Sequence, residues 1–383
     1  MNTKKLKENE NNHNIKSIAY KFRIYPNKSQ QSYLIKSFIA NKHVYNYYLD
    51  KRIGIYEGSG GSFNYSDCSK DLTFLKQTAG YEHLAESSSA VLQSTLRDLD
   101  TAYSNFFRRI KKGDAQKGFP KFKSFNSSLR YTNTTAEYLP EVHKIKLSKI
   151  GKIKVVDYIQ PKGKLMNMTI SQSKAGLWYV SMCMEVKLED CPDKEKAIGI
   201  DVGLKHFAIT SDGEKIDNPK FLKKSEKKVI RLQRQLSRKE KGSRNRNKAR
   251  IILAKAHDKV ASQRKNFLHQ LSTNLTKENG VIAIEDLNIK GMVKNKRLAK
   301  SISDVSWSEF FRQLEYKGKW YNSNIIKIGR FEPSSKTCNV CGYYFENMTL
   351  ADRTLECPNC HNILDRDINA AKNILVLGLK SLK

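Results

Sequence analysis

The run Ala197-Ile198-Gly199-Ile200-Asp201-Val202-Gly203 sets one carboxylate inside an apolar stretch of β character. Apolar neighbours on both sides imply a buried strand. An ionised Asp is costly in such a place unless a cation meets it or it gives up its charge. The chain must therefore fold so that positive charge reaches the end of a central strand, and the cation expected is a metal ion. Glu285 closes a second run of the same kind, Val281-Ile282-Ala283-Ile284. Asp367 lies in Leu364-Asp365-Arg366-Asp367-Ile368-Asn369-Ala370-Ala371, which reads as a helix start, with acidic residues in the first turn and apolar spacing after it. Carboxylates borne on strand, strand and helix form a hard-oxygen set that suits magnesium or manganese. Two such ions about 3.5–4 Å apart serve phosphodiester cleavage.

Cys338-x-x-Cys341 and Cys357-x-x-Cys360 have the spacing of a structural zinc knuckle. Four thiolates close the coordination sphere, so the expected role is to fold a small module too poor in apolar residues to fold alone. His361 adjoins the last cysteine and is read as a bystander. Cys68, Cys183 and Cys191 are left over as reduced thiols, because the pattern is not that of a disulfide scaffold.

Charge points to the partner. The chain has 70 Lys+Arg against 38 Asp+Glu, a formal net charge of +32 at pH 7, and such a surface binds a large polyanion by releasing counterions. Residues 223–265 hold seventeen Lys/Arg against three Asp/Glu. They read as an antiparallel helical hairpin broken at Gly242-Ser243, with a thin apolar seam at Leu232, Leu236, Leu253, Ala256 and Val260. Arg231, Arg234, Arg238, Arg244, Arg246 and Arg250 are its candidate phosphate contacts; one sign dominating so heavily favours binding over a merely solvated face. The segment Lys117-Gly118-Phe119-Pro120-Lys121-Phe122-Lys123-Ser124-Phe125 alternates cation with aromatic, which suits stacking on bases with phosphate contact. Buried Phe with snorkelling Lys fits that pattern equally well. Lys290 and Lys294 add a basic loop after Glu285. The chain shows no signal peptide and no apolar run near the roughly 18 residues of a membrane span, so a cytoplasmic protein without membrane contact is expected.

At Gly199-Ile200-Asp201-Val202-Gly203, at Ile284-Glu285-Asp286-Leu287, at the four cysteines set between the second and third carboxylates, at Asp365-Arg366-Asp367-Ile368-Asn369-Ala370-Ala371 and at Phe22-Arg23-Ile24-Tyr25-Pro26, the chain resembles the TnpB proteins of bacterial insertion sequences, relatives of the type V CRISPR effectors. The resemblance spans nearly the whole chain. It implies a RuvC-like, RNase H-like nuclease domain and an RNA-guided DNA endonuclease of a transposon. The partners implied are a guide RNA, from the end of the protein's own gene, and double-stranded target DNA cut beside a short adjacent motif, with the protein acting as a monomer in the bacterial cytoplasm. Asp365 or Asp367 can be the third ligand. Asp365 stands where a helix N-cap belongs, and the family pattern of Asp, one residue, then Asn-Ala-Ala also places the ligand at Asp367. Family members that have lost carboxylates act as DNA-binding repressors, and a DDE transposase shares the carboxylate chemistry. Gly199 to Gly203 followed by Asp212-Gly213 also resembles the first phosphate loop of actin-like ATPases, but the second glycine-rich loop those need is missing.

The expected fold is multidomain α+β. Residues 1–28 comprise a disordered polar tail to about Asn14 and a first strand, Ile18 to Tyr25, ended by Pro26. Residues 29–125 form a helical recognition bundle, capped at Ser29, whose best-patterned helix carries Leu92, Leu96, Leu99, Tyr103, Phe106 and Ile110 as core. Residues 126–195 supply strands, ending in a period-two run at Trp178, Val180, Met182, Met184 and Val186. A lone first strand needs partners, so it and these strands close one wedge-like β-barrel. Residues 196–335 form the RuvC-like domain, with a capping box at Ser306 and Glu309 opening a helix that buries Trp307, Phe310, Phe311 and Leu314. Residues 336–363 are the zinc-knuckle insertion and 364–383 the last helix.

Overall fold

The computed structural model describes residues 15–187, 192–330, 332–349 and 352–382; the polar tail expected at 1–14 and Cys191 lie outside them. The chain divides into two compact units, one within residues 15–187 and the other within 192–382.

The first unit comprises β1 (Ile15–Tyr25), α1 (Lys28–Ser59), α2 (Tyr65–Leu75), α3 (His83–Glu86), α4 (Ser89–Lys111), β2 (Ser128–Thr132), β3 (Ala136–Leu139), β4 (Lys144–Leu147), β5 (Gly151–Val156), β6 (Lys164–Gln172) and β7 (Trp178–Lys187). Its seven-stranded sheet has the order β2-β6-β7-β1-β5-β4-β3, and β1 pairs with β7 from Ile15↔Lys187 to Ile24↔Trp178. Period-two alternation sends Trp178, Val180, Met182 and Met184 inward against Phe22 and Ile24.

The closed barrel expected from the sequence is not formed. β2 and β3 are the two ends of the sheet, and no ladder among the described residues joins them. The reason lies in the turn between them. Thr135 N donates to Thr132 O at 3.1 Å, and the Thr132 hydroxyl meets those of Thr134 and Thr135 at 2.8 and 3.1 Å. Beyond that turn β3 pairs with β4, and Thr135 O accepts from Ser148 N at 2.9 Å. Helices complete the core instead: Leu34 and Phe38 of α1 and Val91 of α4 pack into it, Phe38 stacking on Trp178 at 5.7 Å.

Two further expectations for this unit need correction. Asn27, not Ser29, caps α1: its Oδ1 accepts from Gln30 N at 2.9 Å and its own N–H donates to Gln30 Oε1 at 3.0 Å, so the helix starts at Lys28. In α4, Leu92, Leu96 and Leu99 are buried but Ile110 is exposed, because the last turns of the helix run past the bundle core of Val44, Tyr48, Leu49, Leu72 and Leu84.

The second unit comprises β8 (Ala197–Val202), β9 (His206–Thr210), β10 (Lys215–Asp217), α5 (Phe221–Ser237), α6 (Arg244–Glu278), β11 (Val281–Glu285), α7 (Ile289–Met292), α8 (Ala299–Val305), α9 (Trp307–Tyr321), β12 (Asn324–Ile328), β13 (Thr354–Glu356), β14 (Ile363–Asp365) and α10 (Arg366–Lys380). The sheet order is β10-β9-β8-β11-β12, with β8, β11 and β12 parallel and β9 and β10 antiparallel. Side-chain alternation sorts each central strand onto two faces. Ile198, Ile200, Ile282 and Ile284 pack against Leu268 and Leu275 of α6 and Trp307, Phe310, Phe311 and Leu314 of α9. Gly199 and Ala283, on the opposite face, meet α10. A Cβ at Gly199 would stand 2.1 Å from Ala371 O, and one at Gly378 would stand 2.6 Å from the Cβ of Ala283. The helix thus lies directly on the strands, and Asp201 and Glu285, two residues on from Gly199 and Ala283, share its face.

The capping box expected at Ser306 and Glu309 is absent. Ser306 closes α8, its N–H donating to Ile302 O, and its left-handed φ of 59° turns the hydroxyl back to Ser303 O at 3.0 Å. The Glu309 carboxylate goes to Arg312 at 2.7 and 2.8 Å and to Gln313 at 3.0 Å.

Candidate active site

β8 and β11 pair in parallel with Ile200 opposite Ile284, so Asp201 and Glu285 emerge side by side at the carboxyl ends of neighbouring strands. The first turn of α10 brings Asp367 to them. The three carboxylates line one cleft of about 360 Å³, together with Lys205, His206, Ser334, Arg353 and Arg366. Burial pushes the Asp201 carboxyl up to about 8, and the charges of Glu285 and Asp367 push in the same direction. Ser334 Oγ donates to Glu285 Oε1 at 2.5 Å, and Arg353 Nη1 stands 3.4 Å from Asp367 Oδ2.

The neighbouring acids are committed elsewhere. Asp365 is the N-cap of α10, its Oδ1 accepting from the N–H groups of Asp367 and Ile368 at 3.1 Å each, and its Oδ2 accepts from Lys215 Nζ at 2.5 Å. Burial works against that carboxylate, yet the Lys215 contact and the capped N–H groups hold it below the usual range. Asp286 is paired with Arg330 at 2.7 Å. The donor set left facing the cleft is three carboxylates, with Glu285 and Asp367 raising the cost of ionising Asp201, which fits a hard divalent cation.

The four cysteines form a second cluster. Cys338 and Cys360 bring their sulfurs to 3.8 Å, Cys341 and Cys357 to 3.5 Å, and all four lie within 4.8 Å of one another. A tetrahedron with metal–sulfur arms of about 2.3 Å has edges near 3.8 Å, so the geometry fits a zinc-sized ion. His361, in a left-handed conformation, is not among the clustered side chains.

The basic candidates are distributed over both units. Arg231, Arg234, Arg238, Arg244 and Arg250 are exposed along α5 and α6, as are Lys290 and Lys294. Arg246 is drawn into the hairpin itself, its Nη1 donating to Leu236 O at 3.1 Å and Lys239 O at 2.7 Å, and so helps close the C-terminal end of α5. In the first unit the two readings of residues 117–125 divide between them. Phe119 packs edge-on against Tyr103 and Phe106, and Lys123 is held by Asn46 through both backbone groups with its Nζ 3.7 Å from the Tyr45 ring centre. Lys117 and Lys121 are exposed, and Phe122 and Phe125 remain 55% and 72% exposed.

Ser334, Arg353 and Arg366 line the cleft without having been singled out from the sequence as site residues, and Asn369 and Asn373 hold the segment that carries Ser334. The two asparagines had a local signal, a four-residue spacing on the helix that carries Asp367; Ser334 and Arg353 had none.

Three family profiles match the chain: one described as "Probable transposase" (OrfB_IS605) over residues 181–296, one described as "Cas12f1-like, TNB domain" over residues 307–374, and one described as "Helix-turn-helix domain" over residues 16–61. Over residues 16–61 the structure has β1 followed by one unbroken 32-residue helix, rather than two helices joined by a turn. A protein of Streptomyces pristinaespiralis named "Putative RNA-guided DNA endonuclease" is 37% identical over 369 residues, covering 94% of this chain and 89% of that protein. The Escherichia coli (strain K12) protein "Putative RNA-guided DNA endonuclease InsQ" is 30% identical, covering 94% and 92%. Among solved structures, the Cas12f1 chain of a Cas12f1-sgRNA-target DNA complex aligns with a TM-score of 0.55 at 14% identity, covering 94% of this chain and 99% of that one, a likeness of fold.

Proposed function

The chain belongs to the TnpB-like family of RNA-guided DNA endonucleases, and from that premise we propose that it cuts DNA selected by a bound RNA, using Asp201, Glu285 and Asp367 to hold magnesium or manganese. The observation that carries this reading is the convergence of three carboxylates from β8, β11 and α10, with Asp201 pushed up to about 8 by burial and by the other two. When bound, such ions activate the attacking water and stabilise the leaving oxygen. The chain's own groups set the stage. Ser334 fixes the plane of the Glu285 carboxylate, and Asp365 orders the first turn from which Asp367 projects. Arg353 and Arg366, lining the same cleft, supply positive charge for the scissile phosphate.

The four cysteines hold one zinc, which elemental analysis would find at about one per chain. The exposed arginines of the α5–α6 hairpin, Lys290, Lys294 and the outward Lys117, Lys121 and Phe122 serve RNA and DNA. Residues 29–125 act as the recognition bundle, the seven-stranded sheet as the wedge, and residues 196–335 with 364–383 as the nuclease. The guide comes from the end of the protein's own gene, and the protein works as a monomer with that RNA in the bacterial cytoplasm. Among the described residues no helix is long and apolar enough to cross a membrane. Retention of all three carboxylates favours cleavage over a repressor role.

The test is to purify the protein from its host and sequence the nucleic acid it retains. A discrete RNA from the end of its own gene is expected. A random mixture of fragments would contradict guidance.

A further inference from the structure

The four-cysteine module reaches the carboxylates from two directions, and both run through α10. Asn369 and Asn373 stand one turn apart on that helix, both buried. Asn369 Oδ1 accepts from the N–H of Asn339, inside the Cys338-x-x-Cys341 turn, at 2.8 Å, and its Nδ2 donates to Thr337 O at 2.7 Å. Asn373 Nδ2 donates to Ser334 O at 2.7 Å and to Thr337 O at 2.6 Å. Ser334, itself buried, passes the contact on, since its hydroxyl is the donor to Glu285 Oε1. On the other side of the module the Arg366 N–H donates to Arg353 O at 2.9 Å, and the Arg353 side chain reaches Asp367.

Packing alone does not call for these amides. Apolar side chains would seat a helix at less cost than two buried carboxamides, which stabilise only when every group finds a partner. What they do fix is the path of residues 334–339. That segment is made of turns and a single bridge, Thr337 with Tyr344, so no sheet ladder holds it in place. It leads into the first cysteine pair and carries the hydroxyl that orients Glu285.

We propose that Asn373 is a positioning residue for Glu285, acting through Ser334, while Asn369 locks the same segment to the first cysteine pair. The metal-binding carboxylates and the four-thiolate module are then set in register by one helix. This inference rests on the reading of the carboxylates as a divalent-cation site.

The test uses the full chain and magnesium alone as the probe, comparing wild type with Asn373→Asp, Ser334→Ala and Ser334→Thr. Asn373→Asp keeps the size of the side chain but turns two donors into acceptors facing two carbonyls. Ser334→Ala removes only the hydroxyl and leaves the backbone carbonyl that Asn373 grips, so it decides the matter should Asn373→Asp fold poorly. For both, the magnesium concentration giving half of the thermal stabilisation should rise about 10-fold or more. Zinc content should stay at the wild-type level, and Ser334→Thr should restore the midpoint. Unchanged magnesium midpoints in both variants, beside a wild type that responds to magnesium, would overturn the clamp alone. A wild type with no magnesium response would overturn the cation site and the inference with it.

Discussion

Asp365 and Asp367 are two residues apart and chemically identical, yet the structure gives them different surroundings. Asp365 spends both oxygens on the N-terminus of α10 and on Lys215, while Asp367 faces the cleft. Asp367→Asn is therefore expected to eliminate cleavage with folding unchanged. Asp365→Asn should leave measurable activity and cost on the order of 1 kcal/mol or less, since Asn still caps and the lost ion pair is partly exposed. Cleavage assays paired with thermal melts separate the two; a dead but stable Asp365→Asn beside an active Asp367→Asn would reverse the assignment. Asp201 yields a second expectation. Its folded-state value of about 8 lies above the ordinary 3.8, so the folded metal-free chain holds this proton more tightly than the unfolded chain does. Stability from this group is present below about pH 4 and is lost as pH rises toward 8. Asp201→Asn cannot ionise, so it should melt higher than wild type at pH 8 without divalent cations, with the gap closing toward pH 5, while cleaving nothing. A wild type that melts higher than the variant at pH 8 would contradict this. At this scale the sequence was legible where a charge interrupts an apolar run, as at Asp201 and Glu285. It was silent at Ser334 and Arg353, whose importance comes from contacts with Glu285 and Asp367 that no local pattern records.

Among the elements, periodicity carried the most information. The alternation of β7 and the apolar face of α9 appear in the structure as read, because each buries one face against a single core. That the sheet stays open was not legible, since closure depends on the backbone path through the short turn from Thr132 to Thr135. The caps of α1 and α9 failed for a related reason. Several nearby polar residues can cap, and the conformation of the entering chain chooses among them, as the left-handed Ser306 shows. The α5–α6 hairpin is the element whose role is most open to test. Reversing the exposed Arg234 and Arg250 to Glu should flatten the dependence of log affinity on log salt by about 2. Arg246 is left alone because it closes the hairpin. An unchanged slope would make the hairpin a solvated structural arm.

For the molecule as a whole, charge and site identify the same kind of partner. A net charge of +32 draws a polyanion of any sequence, whereas the proposed chemistry has one place, the cleft that three carboxylates line. Sequence selection must come from elsewhere, and in this family it is assigned to the bound RNA. The chain divides into two compact units, within residues 15–187 and 192–382, the first holding the long helices and alternating strands and the second the buried parallel strands. Cleavage by the three carboxylates under RNA direction is the central proposal. The most direct test is to reconstitute purified protein with its co-purified RNA and a DNA carrying the matching target, with magnesium, beside Asp201→Ala. The expected result is a cut in the matched DNA only, abolished in Asp201→Ala while RNA and DNA binding persist. Cleavage that survives in Asp201→Ala, or that ignores the match between RNA and DNA, would contradict it.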